Sequence, residues 1–188
     1  MKNEVGTYDY GNVVAYVVQD RELANRILVD ECPRVVVSDF ESTTLRAFKK
    51  TSKETLGRVA FHCSHYGALL KEDGYLEIEA PYLTIFKDKD NEVVGYLLWT
   101  ISSTWYNDNL LFVEEVSTGN IKKTFHGMAR LACDYLQKIT KVVKRKLPEY
   151  EVEGVIAGVS QPDVKEQVRN TYEKKNGFKT LYQFYKEM

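Results

Sequence analysis

The chain has 188 residues, of which 44% are hydrophobic and 28% are charged, and its net charge at pH 7 is −1. This length fits one domain with its own core, and the balanced charge gives no global attraction to nucleic acid or to an anionic membrane. No apolar run approaches the ~20 residues of a membrane span, and the opening segment MKNEVGTYDYGN lacks the apolar stretch of a signal peptide. Three cysteines, an odd number, do not suggest a disulfide framework. We therefore expect a cytoplasmic protein.

The N-terminal part of the chain combines strand and helix patterns. The β-branched run Val13–Val18 predicts a buried strand. Asp20 can cap a following helix over Arg21–Val29. Between Thr43 and Leu70 the apolar residues recur at helical spacing, which predicts two helices with a break near Thr51.

The middle of the chain carries the clearest β pattern. Two apolar runs, Pro81–Lys87 and Glu92–Ser102, flank the short polar segment Asp88–Asn91. Such an arrangement predicts an antiparallel hairpin. A second polar turn, Trp105–Asn109, leads to a predicted strand over Leu110–Val116.

The remaining elements alternate between strand and helix. The strand that starts at Leu110 passes through a polar turn into a long helix that extends to Leu147. Val152–Val159 predicts the next strand, and a strand–helix–strand order of this kind favours a right-handed parallel crossover. A helix over Gln161–Asn176 and a last strand over Phe178–Tyr185 complete the prediction.

The junction between the long strand and the long helix is a candidate site for an anionic cofactor. The N–H groups of a helix N-terminus lie at the positive end of its dipole and suit phosphate oxygens, and small residues let a phosphate approach the backbone. The candidate cofactor-binding residues are Val116, Lys122, Lys123, Thr124, Phe125, His126, Gly127, Met128, Ala129 and Arg130. An ordinary helix start with solvated lysines is the alternative.

The order of the elements resembles that of the GNAT acetyltransferase superfamily. The segment Tyr172–Phe178, TYEKKNGFK in context, is similar to the Tyr-Glu-Lys-Leu-Gly-Phe pattern near the family's C-terminus, with one extra residue before the glycine. Gly127 and Ala129 match the end of the family's cofactor-loop pattern, whereas Thr124 stands where that pattern has Arg or Gln. The resemblance covers roughly residues 81–188, and residues 1–80 carry no motif.

The resemblance implies a single α/β domain over residues 1–188, with a central, mixed, mostly antiparallel sheet flanked by helices. It also implies direct transfer of an acyl group, most simply acetyl, from acetyl-CoA to an amine of a small-molecule or protein acceptor. The attacking amine must lose a proton, and a carboxylate can take it. Glu114 is our candidate for this role, and Glu115 must point to the opposite side of the strand. Tyr172 is implied as the proton donor to the leaving thiolate.

Two other functions stay open at the level of the sequence. Thr124 in the cofactor loop, the missing asparagine at the start of the last helix and the aromatic tail Tyr182–Tyr185 fit a catalytically silent module of this fold that binds a protein. The second alternative is an enzyme that acts on nucleic acid or uses another acyl donor. A further candidate, the His62–His65 segment, lacks a second group of ligands for zinc, so we expect structural histidines and no metal.

Overall fold

A six-stranded sheet, with its strands in chain order, lies at the centre of the described structure. The computed structural model describes residues 5–31, 52–104, 107–122 and 124–157, together with residues 170, 173 and 174. The strands are β1 (Tyr8–Asp9), β2 (Val13–Val17), β3 (Pro81–Asp88), β4 (Val93–Thr104), β5 (Asn107–Asn120) and β6 (Glu151–Ile156). Neighbouring strands are antiparallel except β5 and β6, which are parallel. The predicted mixed, mostly antiparallel sheet and its parallel crossover are confirmed.

Two of the described helices begin after a residue whose side chain caps them. In the described ranges the helices are α1 (Arg21–Asn25), which continues as a π-helical turn (Arg26–Glu31), α2 (Lys53–Glu72) and α3 (Met128–Lys146). The Asp20 carboxylate accepts a hydrogen bond from the backbone N–H of Leu23 at 2.6 Å, and the Ser52 hydroxyl accepts one from Thr55 at 3.1 Å. None of these helices is both long enough and apolar enough to cross a membrane.

Alternate residues of the central strands enter two cores, as the period of a strand requires. On one face, Trp99 packs with α3 and stacks on Tyr82 at a centroid distance of 4.5 Å. Its indole N–H donates to the Thr84 hydroxyl at 3.0 Å, so this buried donor has a partner. On the other face, Leu83 and Ile85 pack against residues of α1, of the π-helical turn and of α2.

The backbones of α2 and β2 approach each other closely at Gly67. A Cβ atom at Gly67 would lie closer than 3.0 Å to the carbonyl oxygen of Val18, the residue after β2. Only glycine leaves room for this approach. The contact fixes the position of α2 relative to the edge of the sheet.

The boundaries of β5 differ from the prediction at both ends. The predicted turn over residues 105–109 is wrong for Asn107–Asn109, because β5 begins at Asn107, which pairs with Thr104. The strand also continues beyond Val116 to Asn120. Both extensions consist of polar or small residues, which give no hydrophobic pattern to detect. Among them, Asn107 and Ser117–Asn120 pair with β4 through their backbones.

Two further differences concern short elements. The helix predicted over Arg21–Val29 becomes π-helical from Arg26 onward, and the two-residue strand β1 has no pattern in the sequence. The predicted helix before residue 52 and the strand over residues 178–185 lie outside the described residues, as does the helix over residues 161–176 apart from residues 170, 173 and 174.

Candidate active site

The strand–loop–helix junction that the sequence predicts is formed by β5, residues 121–127 and α3. Gly127 is the N-cap of α3, with φ of 104° and no side-chain capping hydrogen bond. Apart from its two chain neighbours, no described residue lies within 4 Å of the place where a Cβ atom on Gly127 would stand. The N–H groups of the first turn have no partner inside the helix and lie at the positive end of its dipole. An open, positively polarised surface therefore follows the end of β5.

The first residue of α3 packs directly on the sheet. A Cβ atom on Gly95 in β4 would lie closer than 3.0 Å to both Met128 Sδ and the carbonyl oxygen of Gly119. The missing side chain of Gly95 thus makes the space for the buried side chain of Met128. This contact fixes the height of the helix N-terminus above β4 and β5.

A β-bulge interrupts β5 before the junction. Leu98 pairs with Ser117, whereas Trp99 pairs with Glu115, so Val116 is an extra residue in β5 and is 54% exposed. The parallel pairing of β5 with β6 ends at Glu114 and Ile156. Past this point the described part of β6 no longer pairs with β5, which continues alone among the described residues on this side from Glu114 toward the N-terminus of α3.

The two neighbouring glutamates of β5 lie on opposite faces of the sheet, as expected. Glu115 is 8% exposed and lies on the α3 side, opposite Trp99. Its charge adds to the effect of burial, which raises the pKa of the Cys133 thiol on α3 to about 12. Glu114 is half-buried on the other face and accepts a hydrogen bond from the Ser102 hydroxyl at 3.0 Å. Glu114 is thus the more accessible carboxylate of the two.

The candidate cofactor residues have different environments. Lys122 Nζ lies 3.1 Å from Asp88 Oδ2 and 2.7 Å from Glu92 Oε2 at the tip of the β3–β4 hairpin. The hydrogen bonds that Lys122 donates to these carboxylates, the one to Glu92 having the larger effect, hold the pKa of Lys122 above its usual range. The exposed residues in the remainder of the junction are Thr124, His126, Gly127 and Arg130, and the half-buried ones are Phe125 and Ala129. Lys123 and the expected proton donor Tyr172 lie outside the described residues.

Comparison with known proteins decides the fold. No model of a known protein family and no curated protein matches the chain. A mutant protein from Bacillus halodurans has a TM-score of 0.54 at 12% identity, with 93% of this chain and 98% of that chain covered. Glucosamine-6-phosphate N-acetyltransferase from Arabidopsis thaliana gives 0.52 at 8%, with 93% and 97% covered. An acetyltransferase from Trypanosoma brucei gives 0.50 at 11%, with 94% and 99% covered. The chain has the GNAT acyltransferase fold.

One residue at the junction of this GNAT fold escaped the sequence-based prediction. The Thr118 hydroxyl oxygen is buried and has no hydrogen-bond partner among the described residues. Thr118 pairs with Leu97 and so lies on the α3 side of the sheet, between Glu115 and the helix N-terminus. Buried hydroxyls normally have a partner, so a polar group bound beside the junction would satisfy it. The residues present therefore fit a polar, anionic ligand, although a lone threonine in a strand gives no signal in the sequence.

The histidine and cysteine side chains of α2 do not form a reactive centre. Burial raises the pKa of the Cys63 thiol to about 12, which leaves very little thiolate at neutral pH. His62 stacks on Tyr66, and His65 stacks on Phe61. Within the described ranges, no group of three or more His, Cys, Asp or Glu side chains could hold a metal ion.

Proposed function

We propose that the protein is an acetyl-CoA-dependent N-acyltransferase whose acceptor is an amine of a small molecule or a protein. The observation that carries this proposal is the open N-terminus of α3 at the end of the bulged strand β5, within the GNAT fold. GNAT folds are shared by proteins of different activity, so the assignment depends on this site rather than on the fold alone.

The backbone of the junction can hold the anionic part of acetyl-CoA. The N–H groups of residues 127–130 precede the first intrahelical hydrogen bond, which runs from Leu131 to the Gly127 carbonyl. Such N–H groups can donate hydrogen bonds to a phosphate, and the positive end of the helix dipole also favours its negative charge. The backbone of β5 at the bulged residue Val116 offers groups to an extended ligand, and the Thr118 hydroxyl offers one more polar contact.

Glu114 has the environment of a proton acceptor for the acceptor amine. Acetyl-CoA supplies a thioester, whose C–S bond breaks as the new C–N bond forms. A lysine-like amine has a pKa of about 10.4 and is therefore protonated at neutral pH, so a base must remove that proton for transfer to occur. Glu114 is half-buried and is held by Ser102, and it takes the proton directly or through one water. Tyr172, by its resemblance to the family tyrosine, returns a proton to the sulfur.

Calorimetric titration with acetyl-CoA tests the cofactor part of this proposal. We expect saturable binding by the wild-type protein, and about ten-fold weaker binding by Gly127→Asp, because the added carboxylate repels phosphate and competes for the same N–H groups. Gly11→Asp is a matched control. Gly11 also has a positive φ, 81°, and no described residue beyond its chain neighbours lies within 4 Å of a Cβ atom there, but it lies in the β1–β2 turn.

The two variants separate strain from ligand contact. Both place a side chain in the left-handed region and both add one negative charge, so both carry the same kind of backbone strain. Only Gly127→Asp should weaken acetyl-CoA binding. Equal affinity of the two variants would remove the helix N-terminus from the site. No binding by the wild-type protein up to millimolar acetyl-CoA would overturn the proposal and favour a catalytically silent, protein-binding module.

A further inference from the structure

Both ends of the junction loop are attached to neighbouring residues of β4. We define the junction loop as residues 121–122 and 124–127, the described residues between β5 and α3. At its start, the N–H groups of Ile121 and Lys122 both donate to the carbonyl of Val94, at 3.0 and 3.2 Å. At its end, Met128 packs on Gly95. The position of the loop therefore depends on β4 and on the hairpin that β4 forms with β3.

The Lys122 side chain adds a third attachment at the tip of this hairpin. Its ammonium group bridges Asp88 and Glu92, which lie 34 and 30 residues earlier in the chain. Asp88 is itself held in place, since its other oxygen accepts hydrogen bonds from the N–H groups of Asp90 and Glu92, both at 3.0 Å. The hydrogen bond from Lys122 lowers the pKa of Asp88. One rigid turn thus presents two carboxylates to the lysine.

We propose that Lys122 is a positioning residue, which holds the junction loop against the β3–β4 hairpin through Asp88 and Glu92 and does not contact the cofactor. This inference rests on the proposed function, because the group that is positioned is the acetyl-CoA-binding helix N-terminus. We name Asp88, Glu92 and Lys122 the hairpin clamp. The clamp keeps the N–H groups of the first turn of α3 pointed at one place, so that binding does not have to order them.

The local charges favour this role over a direct contact with phosphate. An ammonium group has three donors, and two are directed at carboxylates. The clamp as a whole carries two negative charges and one positive charge, so its net charge is −1 at neutral pH. Such a group is a poor counterion for a pyrophosphate, whereas it is well suited to fix a loop.

The substitution Lys122→Met removes the charge and keeps most of the length of the side chain. We expect it to weaken acetyl-CoA binding about ten-fold, less than the ~100-fold that a 1 Å misplacement can cost. Lys122→Arg keeps a donor for both carboxylates and should restore most of the affinity. The control Lys138→Met breaks another exposed ion pair, with Asp134 at 2.8 Å on α3, and should leave the affinity unchanged.

A double variant distinguishes a clamp from a direct phosphate contact. Asp88→Asn with Glu92→Gln removes both negative charges, and Asn keeps an oxygen that can cap the hairpin turn. The clamp predicts about ten-fold weaker acetyl-CoA binding by this variant, similar to that of Lys122→Met. A direct contact predicts equal or tighter binding, because the lysine is released from its partners. Equal or tighter binding would overturn the inference.

Amide hydrogen exchange tests the clamp without any cofactor. In Lys122→Met we expect roughly ten-fold faster exchange at Ile121 and Phe125, whose N–H groups donate to Val94 and to the carbonyl of residue 122, with unchanged exchange in the core of α3. Unchanged exchange at these two amides overturns the clamp even if acetyl-CoA binds. Failure of the wild-type protein to bind acetyl-CoA overturns the proposed function, and leaves the exchange result to decide whether the loop is clamped.

Discussion

Gly67→Ala should lower the free energy of unfolding by about 3 kcal/mol, at the upper end of the cost of overpacking. The new methyl group would lie closer than 3.0 Å to the backbone oxygen of Val18. A backbone atom in a paired segment cannot rotate away as a side chain can, because the Val18 N–H is bonded to the Leu83 carbonyl at 2.8 Å. Helix α2 must therefore move away from β2, or the end of β2 must shift.

Helix propensity acts in the opposite direction at Gly67 and is the smaller effect. Alanine in a helix interior is better than glycine by about 1 kcal/mol. If propensity decided the result, Gly67→Ala would stabilise the protein. The steric conflict with Val18 exceeds this gain, so we expect the melting temperature to fall by roughly 6–12 °C for a chain of this size.

Gly57→Ala in the same helix is the matched control. The nearest atom to a Cβ there is Asn25 Oδ1 at 4.0 Å, so the methyl group has room. This variant should raise the free energy of unfolding by about 0.5–1 kcal/mol through propensity alone. Urea denaturation of both variants measures the two effects. Opposite signs are expected, and a neutral or stabilising Gly67→Ala would show that α2 does not approach β2 as closely as described.

The parts of the fold that sequence reasoning predicted are those with a local, periodic signal. The β3–β4 hairpin has two long apolar runs around a short polar turn, and α3 has nine buried residues at helical spacing, from Met128 to Val143. The boundaries that the sequence did not predict are those of β5, whose final residues, from Ser117 to Asn120, pair with β4 through their backbones. Polar residues at the end of a strand are extended because the neighbouring strand pairs with them, and their own side chains do not indicate this.

The candidate site divides in the same way. The open N-terminus of α3 could be predicted because Gly127, the preceding polar turn and the following apolar periodicity are adjacent in the sequence. The bulge at Val116 could not, because it is a property of the register between β4 and β5. The partners of Lys122 could not be predicted from the sequence either, because they lie 34 and 30 residues away and no local pattern connects residues at such separations. A lysine near a helix start therefore suggested a phosphate contact, whereas the hairpin supplies its partners.

Glu114→Gln should lower kcat for acyl transfer by about 100-fold, at the lower end of what a general base contributes. Glutamine has nearly the same shape, and its carbonyl oxygen can still accept the hydrogen bond from Ser102, but it cannot take a proton from the amine. The KM for acetyl-CoA should stay the same, because Glu114 lies before the bulge, away from the N-terminus of α3. Release of free CoA thiol in the presence of an amine acceptor measures both constants.

Two comparisons show whether Glu114 acts through its charge or through the structure. Glu153→Gln, an exposed position on the neighbouring strand β6, removes an equal charge and should leave kcat unchanged. Ser102→Ala keeps the carboxylate and removes only its hydrogen-bond donor, so it should lower kcat by about five-fold, the cost of roughly 1 kcal/mol in orientation. A kcat for Glu114→Gln equal to that of Glu153→Gln would exclude Glu114 as the base. If Ser102→Ala lowers kcat as much as Glu114→Gln does, then the Glu114 carboxylate works only when the Ser102 hydrogen bond orients it.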